Sequence, residues 1–317
     1  NDNSERLFQL GHEHEIEKDI FDIEFTPNRG DCLSVFGLLR DLNIFYDVNQ
    51  KYDLYEKQID PLSFFFQNKA VNHCSNISFL RVDVDHIPNT YKGSLKDYFI
   101  TFGLNKNNFF TDISNYISYE TGQPTHCYDA NKLNDNELTL DFIEGENDFM
   151  SLSKQNIKLK GKNLVFINKG NEIVNLAGVM GGISTACTTS TKSVLIECAN
   201  FNPETIIGKT VKYDIQSEAA YKFERGVDPQ CHEKVLRRIL KIIENHTNIS
   251  SVSMSSFSNF DYINTLIPFE PERIIKIIGI DISEKKIKTY LSKLGFIFDD
   301  HFIRVPSYRN DISTVND

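Results

Sequence analysis

Apolar and polar positions divide this chain into three stretches. Between Ile20 and Phe25 they alternate with period two, the mark of a half-buried strand. Thr26-Pro-Asn-Arg-Gly-Asp31 is turn chemistry, and Cys32 to Phe45 then places Leu38, Leu39, Leu42 and Phe45 at helical spacing. Lys51 to Pro61 is polar and reads as a linker. From about 62 to 257, strand-like runs at Ile77–Val84, Leu138–Ile143, Leu164–Ile167 and Val194–Cys198 are separated by loops rich in Gly and Pro. Asp228 can cap a long helix that runs to Glu244, with Pro229 in its first turn and Val235, Ile239, Ile242 and Ile243 on its apolar face. The Ser-rich stretch Ser250–Ser258 closes this region. A small module follows, in which Ser283 caps a helix with the stripe Ile287, Tyr290, Leu291 and Leu294, and Gly295 ends it. Phe296–Phe298 and Phe302–Val305 pair as a hairpin around Asp299-Asp300-His301. The expected domains are 1–50, 51–257 and 258–317. Strands and helices do not alternate regularly, so the fold class is α+β with mixed sheets.

Composition narrows the function classes. The 317 residues are 40% hydrophobic, 25% charged and 12% aromatic, with 24 Phe and no Trp. Net charge is −10, which argues against coating nucleic acid non-specifically and leaves room for a local basic patch. The six Cys show no C-x-x-C pair and read as reduced thiols of a cytosolic protein. No apolar run approaches the roughly 20 residues a membrane span needs. The start, Asn-Asp-Asn-Ser-Glu-Arg, is no signal peptide and carries no initiator Met, which points to a chain that begins mid-protein.

A few short segments carry the candidate chemistry. His126 lies in Gly122-Gln-Pro-Thr-His-Cys-Tyr-Asp129, read as a loop, with Asn115 eleven residues upstream just before a turn. A lone His is more often satisfied by local hydrogen bonds than catalytic, and this company shifts the balance. Glu197 sits in the apolar run Val194-Leu-Ile-Glu-Cys-Ala199. There it is either the outward residue of an edge strand or a buried carboxylate that must be paired, hydrogen-bonded or functional. Gly178-Val-Met-Gly-Gly182 offers bare backbone that a ligand can approach, without matching a dinucleotide or P-loop fingerprint. Ser217 and Ala219 line a pocket or pack a helix. Cys127 beside His126 is a poor dyad, since sequence neighbours rarely face each other.

Taken in order, these motifs resemble the β subunit of bacterial phenylalanyl-tRNA synthetase, and the resemblance covers nearly the whole chain. It rests on Thr26-Pro-Asn-Arg-Gly-Asp-Cys-Leu-Ser34, Gly-Gln-Pro-x-His, Leu-Ala-Gly-x-Met-Gly-Gly, Glu-Cys-Ala, Phe-Glu-Arg-Gly-Val-Asp-Pro and Val305-Pro-Ser-Tyr-Arg-Asn-Asp311. It implies a middle fragment of a longer subunit that pairs with an α subunit in an α2β2 tetramer and binds tRNA(Phe). Aminoacylation, with its ATP, belongs to the α subunit. The chemistry implied here is editing. A pocket built for Phe rejects Tyr by only about a hundredfold, so a second site must hydrolyse Tyr-tRNA(Phe). The resemblance gives Glu197 the tyrosyl hydroxyl, sets His126 and Asn115 beside the ester and the tRNA end, and makes Gly181 and Gly182 backbone donors to the oxyanion. Ser114, Pro124, Ser217 and Ala219 complete the substrate pocket. Asp311 and Asp317 match two carboxylates of a Mg2+ site whose other ligands would follow Asp317, a weak site by themselves. Asn105 stands where many members carry Arg, and Ser114 and Ser217 replace Thr. The lost Arg favours the competing reading, a non-catalytic tRNA-docking scaffold with a decayed editing site.

Overall fold

The computed structural model describes residues 13–17, 20–48, 52–133, 137–258 and 261–317. The chain divides into two compact units, one of 1–51 with 262–317 and one of 52–261. Among the described residues no helix is long and apolar enough to cross a membrane. The first residues, Asn1 to Arg6, and residue 51 of the expected linker lie outside the described residues.

In the smaller unit, β1 (Glu13–Glu17) pairs antiparallel with β2 (Ile20–Glu24). A 3-10 turn at Gly30–Cys32 leads into α1 (Val35–Leu42). The helix is shorter than its apolar stripe predicts because Ser34 caps it, accepting from the Gly37 N–H.

The larger unit holds β3 (Asp60–Pro61), β4 (Phe65–Asn68), β5 (Cys74–Val84), α2 (Gly93–Thr101), α3 (Phe109–Thr121), β6 (Thr125–Asp129), β7 (Glu137–Ile143) and the hairpin β8 (Glu146–Met150) and β9 (Asn156–Lys160). It continues with β10 (Asn163–Asn168), β11 (Ile173–Leu176), β12 (Met180–Gly181), β13 (Ser193–Phe201) and the short helices α4 (Pro203–Ile206), α5 (Lys209–Tyr213) and α6 (Glu218–Phe223). The long helix α7 (His232–His246) and β14 (Ile249–Ser258) complete it. Strand order is β12-β11-β10-β7-β4 in one sheet and β3-β14-β5-β13-β6 in the other. Each mixes antiparallel ladders with one parallel pair, β4 with β7 and β3 with β14, which bears out the α+β, mixed-sheet expectation.

The two faces of the second sheet explain its apolar runs. On β13, Leu195 and Ala199 share a core with Tyr128, Phe79 and the other sheet's Leu138, Leu140, Val174 and Leu176. Val194, Ile196 and Cys198 point the other way, onto Leu95, Phe110, Ile113, Ile239 and Ile243 of α2, α3 and α7. A strand buried on both faces reads as a continuous apolar run. Phe residues fill the space between sheets, with Phe66 and Phe79 at 5.0 Å and Phe66 and Phe257 at 5.2 Å between ring centres.

Three expectations change here. The helix after Asp228 starts at His232, because the Asp228 side chain accepts from the Gln230 N–H and holds a turn instead of capping a helix. The Ser-rich stretch is β14, paired with β5 along its length; its hydroxyls bond across the sheet, as Ser256 does to Ser78 at 2.8 Å. The linker residues 52–59 pack on α7, with Tyr55 buried and its carbonyl accepting from Arg237.

The rest of the smaller unit is β15 (Leu266–Pro268), α8 (Pro271–Ile278), α9 (Glu284–Lys293), β16 (Ile297–Asp299) and β17 (Phe302–Arg304). Ser283 caps α9 through the Lys286 N–H, and β16 and β17 form the expected hairpin.

Candidate active site

The site is built where β6 and β13 lie side by side and face the other sheet. His126 belongs to β6 and not to a loop, directly across from Glu197 in the antiparallel register. The turn residues Gly122 and Pro124 end before the strand begins, which is why the segment looked irregular as sequence. Glu197 sits in the interior of its sheet, between β5 and β6, and is 4% exposed. The edge-strand alternative is therefore wrong.

A buried carboxylate needs donors. Glu197 Oε2 accepts from the Tyr128 hydroxyl at 2.6 Å and from Asn175 Nδ2 at 3.4 Å, and the same Asn175 nitrogen donates to the Tyr128 oxygen at 2.9 Å. Burial pushes the Glu197 carboxyl up to about 8, against the pull of the Tyr128 and Asn175 hydrogen bonds. Tyr128 and Asn175 were missed as functional residues. For Tyr128 a signal was present, since it follows His126 by two on a strand and both side chains leave the same face; nothing local marks Asn175.

The His126 ring meets Tyr128 edge-on, with centres 4.4 Å apart. Its Nε2 is sealed from solvent and has no hydrogen-bond partner among the described residues. Burial pulls the imidazole down to about 4, so it is neutral at neutral pH. An unpartnered buried ring nitrogen costs about 1–3 kcal/mol, and that of His126 is left without a protein partner among the described residues.

The Gly-rich loop closes the site. A methyl on Gly181 would run into the His126 ring and Leu152, so only bare backbone fits there. Gly182 is different: its N–H is already bonded to the Val174 carbonyl at 2.8 Å, and a side chain would strike that carbonyl. The expected pair of oxyanion donors is thereby reduced to Gly181. Ser217 caps α6 by accepting from the Ala220 N–H, and its hydroxyl donates to the Val179 carbonyl at 2.6 Å, tethering the Gly-rich loop. Ala219 is half-buried against the inter-sheet core.

The remaining predicted residues lie on and below α3. Asn115 is in mid-helix and exposed, not before a turn. The helix continues through it because Asn108 caps the start and Gly122, at φ 87°, ends it. Its neighbour Ser114 points to β6, donating to the Thr125 carbonyl at 2.8 Å. Pro124 is buried, and its carbonyl accepts from Gln123 Nε2 at 2.9 Å. No hydrogen bond brings Asn115 to Glu197 or His126 among the described residues. Lys222, also missed, donates to the Ser118 carbonyl at 2.6 Å one helical turn from Asn115, and burial lowers its amine to about 8. Cys127 faces the helices, away from His126, and burial raises its thiol well above the usual value.

The two metal candidates are held separately. Asp311 takes both bonds of a bidentate Arg309 guanidinium, at 2.8 and 3.0 Å. Asp317 accepts from the backbone and hydroxyls of Ser313 and Thr314. A carboxylate covered by a guanidinium is a poor Mg2+ ligand, so these residues as arranged do not fit the ion. Among the described residues one trio of ligand-type side chains converges, Asp31, Cys32 and Asp41. Arg29 already occupies its centre, 2.9 Å from each of the two carboxylates and 2.7 Å from the sulfur. That is an ion-pair network that fixes the turn.

Comparison with known proteins places this architecture among tRNA synthetase modules. A family model for the B3/4 domain matches residues 84–248, more than half of the chain, and one for the tRNA synthetase B5 domain matches 267–317. The chain belongs to the B3/4 domain family. It is 30% identical over 313 residues to the phenylalanine–tRNA ligase β subunit of Ehrlichia canis, covering 94% of this chain and 38% of that one. It is 29% identical over 317 residues to the same subunit of Psychrobacter arcticus, covering 95% and 39%. The chain thus spans about two fifths of the length of these relatives. An N-terminal fragment of the phenylalanyl-tRNA synthetase β subunit from Pyrococcus horikoshii is similar at a TM-score of 0.46 and 12% identity, over 98% of this chain and 89% of that one. The resemblance drawn from the motifs is borne out by the two domain matches and by the Ehrlichia canis and Psychrobacter arcticus subunits.

Proposed function

We propose that this chain is part of the β subunit of a phenylalanine–tRNA ligase and that its larger unit hydrolyses mischarged Tyr-tRNA(Phe). The observation that carries the reading is a buried Glu197 across the ladder from His126, whose Nε2 has no partner, beside a Gly181 that must stay bare. The partners are tRNA(Phe) and an α subunit in an α2β2 assembly in the cytoplasm. ATP-dependent aminoacylation, with its Mg2+, lies outside this chain.

Glu197 reads the substrate. A tyrosyl hydroxyl hydrogen-bonds the carboxyl, while a phenylalanyl ring leaves it buried and unmatched, the kind of penalty that separates substrates strongly. His126 holds the ester end. A neutral imidazole with its pKa near 4 is a weak base at neutral pH, so it orients by hydrogen bonding and does not take the proton. Water adds to the ester carbonyl carbon, the developing oxyanion lies against the Gly181 backbone, and the bond to the ribose oxygen breaks. The tRNA's terminal hydroxyl leaves with the proton. Ser217 and Ser114 support this geometry by tethering the loop and α3. Asn115 is exposed on α3, one turn from the Ser118 carbonyl that Lys222 of α6 holds.

Exposed Asn105, in place of a cation, favours the scaffold reading. The deciding experiment is deacylation of Tyr-tRNA(Phe) and Phe-tRNA(Phe) by this chain, with His126→Ala and Glu197→Ala alongside. Editing requires cleavage of the tyrosyl ester, sparing of the phenylalanyl ester and weakening by both substitutions. No cleavage, even with the α subunit and the remainder of the β subunit restored, leaves the scaffold.

A further inference from the structure

Glu197 is held by a closed triangle of hydrogen bonds. Tyr128 is fully buried, its ring fixed by the core and by the edge of His126, so its hydroxyl has no freedom to seek other partners. That hydroxyl carries a single proton. Asn175 Nδ2 is a donor only, so its 2.9 Å contact occupies a lone pair of the Tyr128 oxygen. The proton must then point at Glu197, 2.6 Å away. Both donors reach the same carboxyl oxygen, Oε2, and among the described residues no hydrogen bond reaches Oε1.

We propose that Tyr128 and Asn175 are positioning residues that fix which oxygen of Glu197 reads the substrate: the built-in phenol takes Oε2, Asn175 locks it as donor, and Oε1 is left to hydrogen-bond an incoming ring hydroxyl. The proposal rests on the editing reading and deepens it. The internal and incoming groups are chemically alike, both phenols, and the triangle keeps them from exchanging places. It also opposes part of the upward push of burial on Glu197, since every contact to Oε2 is a donor. The other groups facing Glu197 add no charge near neutral pH. His126 is neutral, and burial holds the Cys74 thiol on β5 and the Tyr128 phenol protonated. Cys127 and Cys198 lie on the opposite face and are likewise protonated.

The test separates the triangle from the catalysis. Protein labelled with 13C at glutamate carboxyls is titrated, and the Glu197 signal is assigned by its loss in Glu197→Gln. Tyr128→Phe keeps the ring and its packing; it should raise the Glu197 midpoint by about one pH unit or more, and Asn175→Ala should raise it by less. The preference for the tyrosyl over the phenylalanyl ester should fall about tenfold in Tyr128→Phe, a loss of about 1.4 kcal/mol in discrimination, with its pH inflection following the carboxyl. An unmoved midpoint in Tyr128→Phe overturns the proposal whatever the activity, as does a raised midpoint with unchanged preference. A raised midpoint in a protein that cleaves neither ester supports the triangle and overturns the editing reading.

Discussion

Glu197 and His126 are both held away from their usual protonation, and the two act oppositely on stability. The Glu197 carboxyl moves from 4.5 to about 8 on folding, so the folded state binds the extra proton. Its contribution is fully present below pH 4.5 and is lost as pH rises through 8. His126 moves from 6.5 to about 4, so its contribution is present above 6.5 and is lost as pH falls through 4. Glu197→Gln should therefore gain on the wild type between pH 5 and 8.5, by a few kcal/mol, on the order of 1.4 kcal/mol per pH unit between the two values. Urea unfolding at the two pH values checks this, and a pH-independent difference refutes it. Gly181→Ala tests the same spot sterically. The added methyl meets the His126 ring, so stability should drop by about 1–3 kcal/mol and deacylation at least tenfold. Thermal unfolding and the deacylation assay read both effects.

At the scale of elements, the site depends on how α3 and α7 are fixed behind the sheet. Glu120 on α3 and Arg238 on α7 form a buried bidentate pair at 2.8 Å, and Tyr116 donates to the same carboxylate. Tyr91 does the same for Asp112 about two turns earlier on α3. Removing one partner strands a buried charge, so Arg238→Met should cost about 3–5 kcal/mol. Arg238→Met with Glu120→Leu should recover most of that loss, because no charge is left behind. Chemical denaturation of the three proteins measures the coupling, and an equal loss in the double variant would sink the argument. The sequence made the apolar faces of these helices visible, as with Val235, Ile239, Ile242 and Ile243 on α7. It concealed the start of α7 and the strand at β14. Asp228-Pro229 has the composition of a helix start and folds as a turn, and serines satisfied across a ladder look like a linker when the ladder is not seen.

For the whole molecule, the inter-sheet core and the helix-side core both fall entirely within 52–261. A protein of residues 52–261 should therefore fold with one cooperative transition, followed by circular dichroism and fluorescence; transitions that differ between the two probes would contradict this. The smaller unit has its own modest core of Ile267, Phe296, Ile303 and Val305, which predicts a lower stability when it is tested by itself.

Local chemistry alone determined a good deal of this protein. Alternating and apolar runs gave several of the strands, Ser and Gly gave the ends of α9, and the ordered motifs gave the family, because each of these signals is carried by neighbours in sequence. The tertiary structure decided what the motif residues do. Whether Glu197 was an outward edge residue or a buried acceptor depended on β6 pairing to its other side. Whether Gly182 could serve an oxyanion depended on Val174 taking its N–H. The triangle of Tyr128, Asn175 and Glu197 joins residues 47 and 22 positions apart along the chain, and no local pattern encodes such a closure. Hydrogen-bond satisfaction in a dry interior is a property of the assembled sheets, so it was legible only once they were packed.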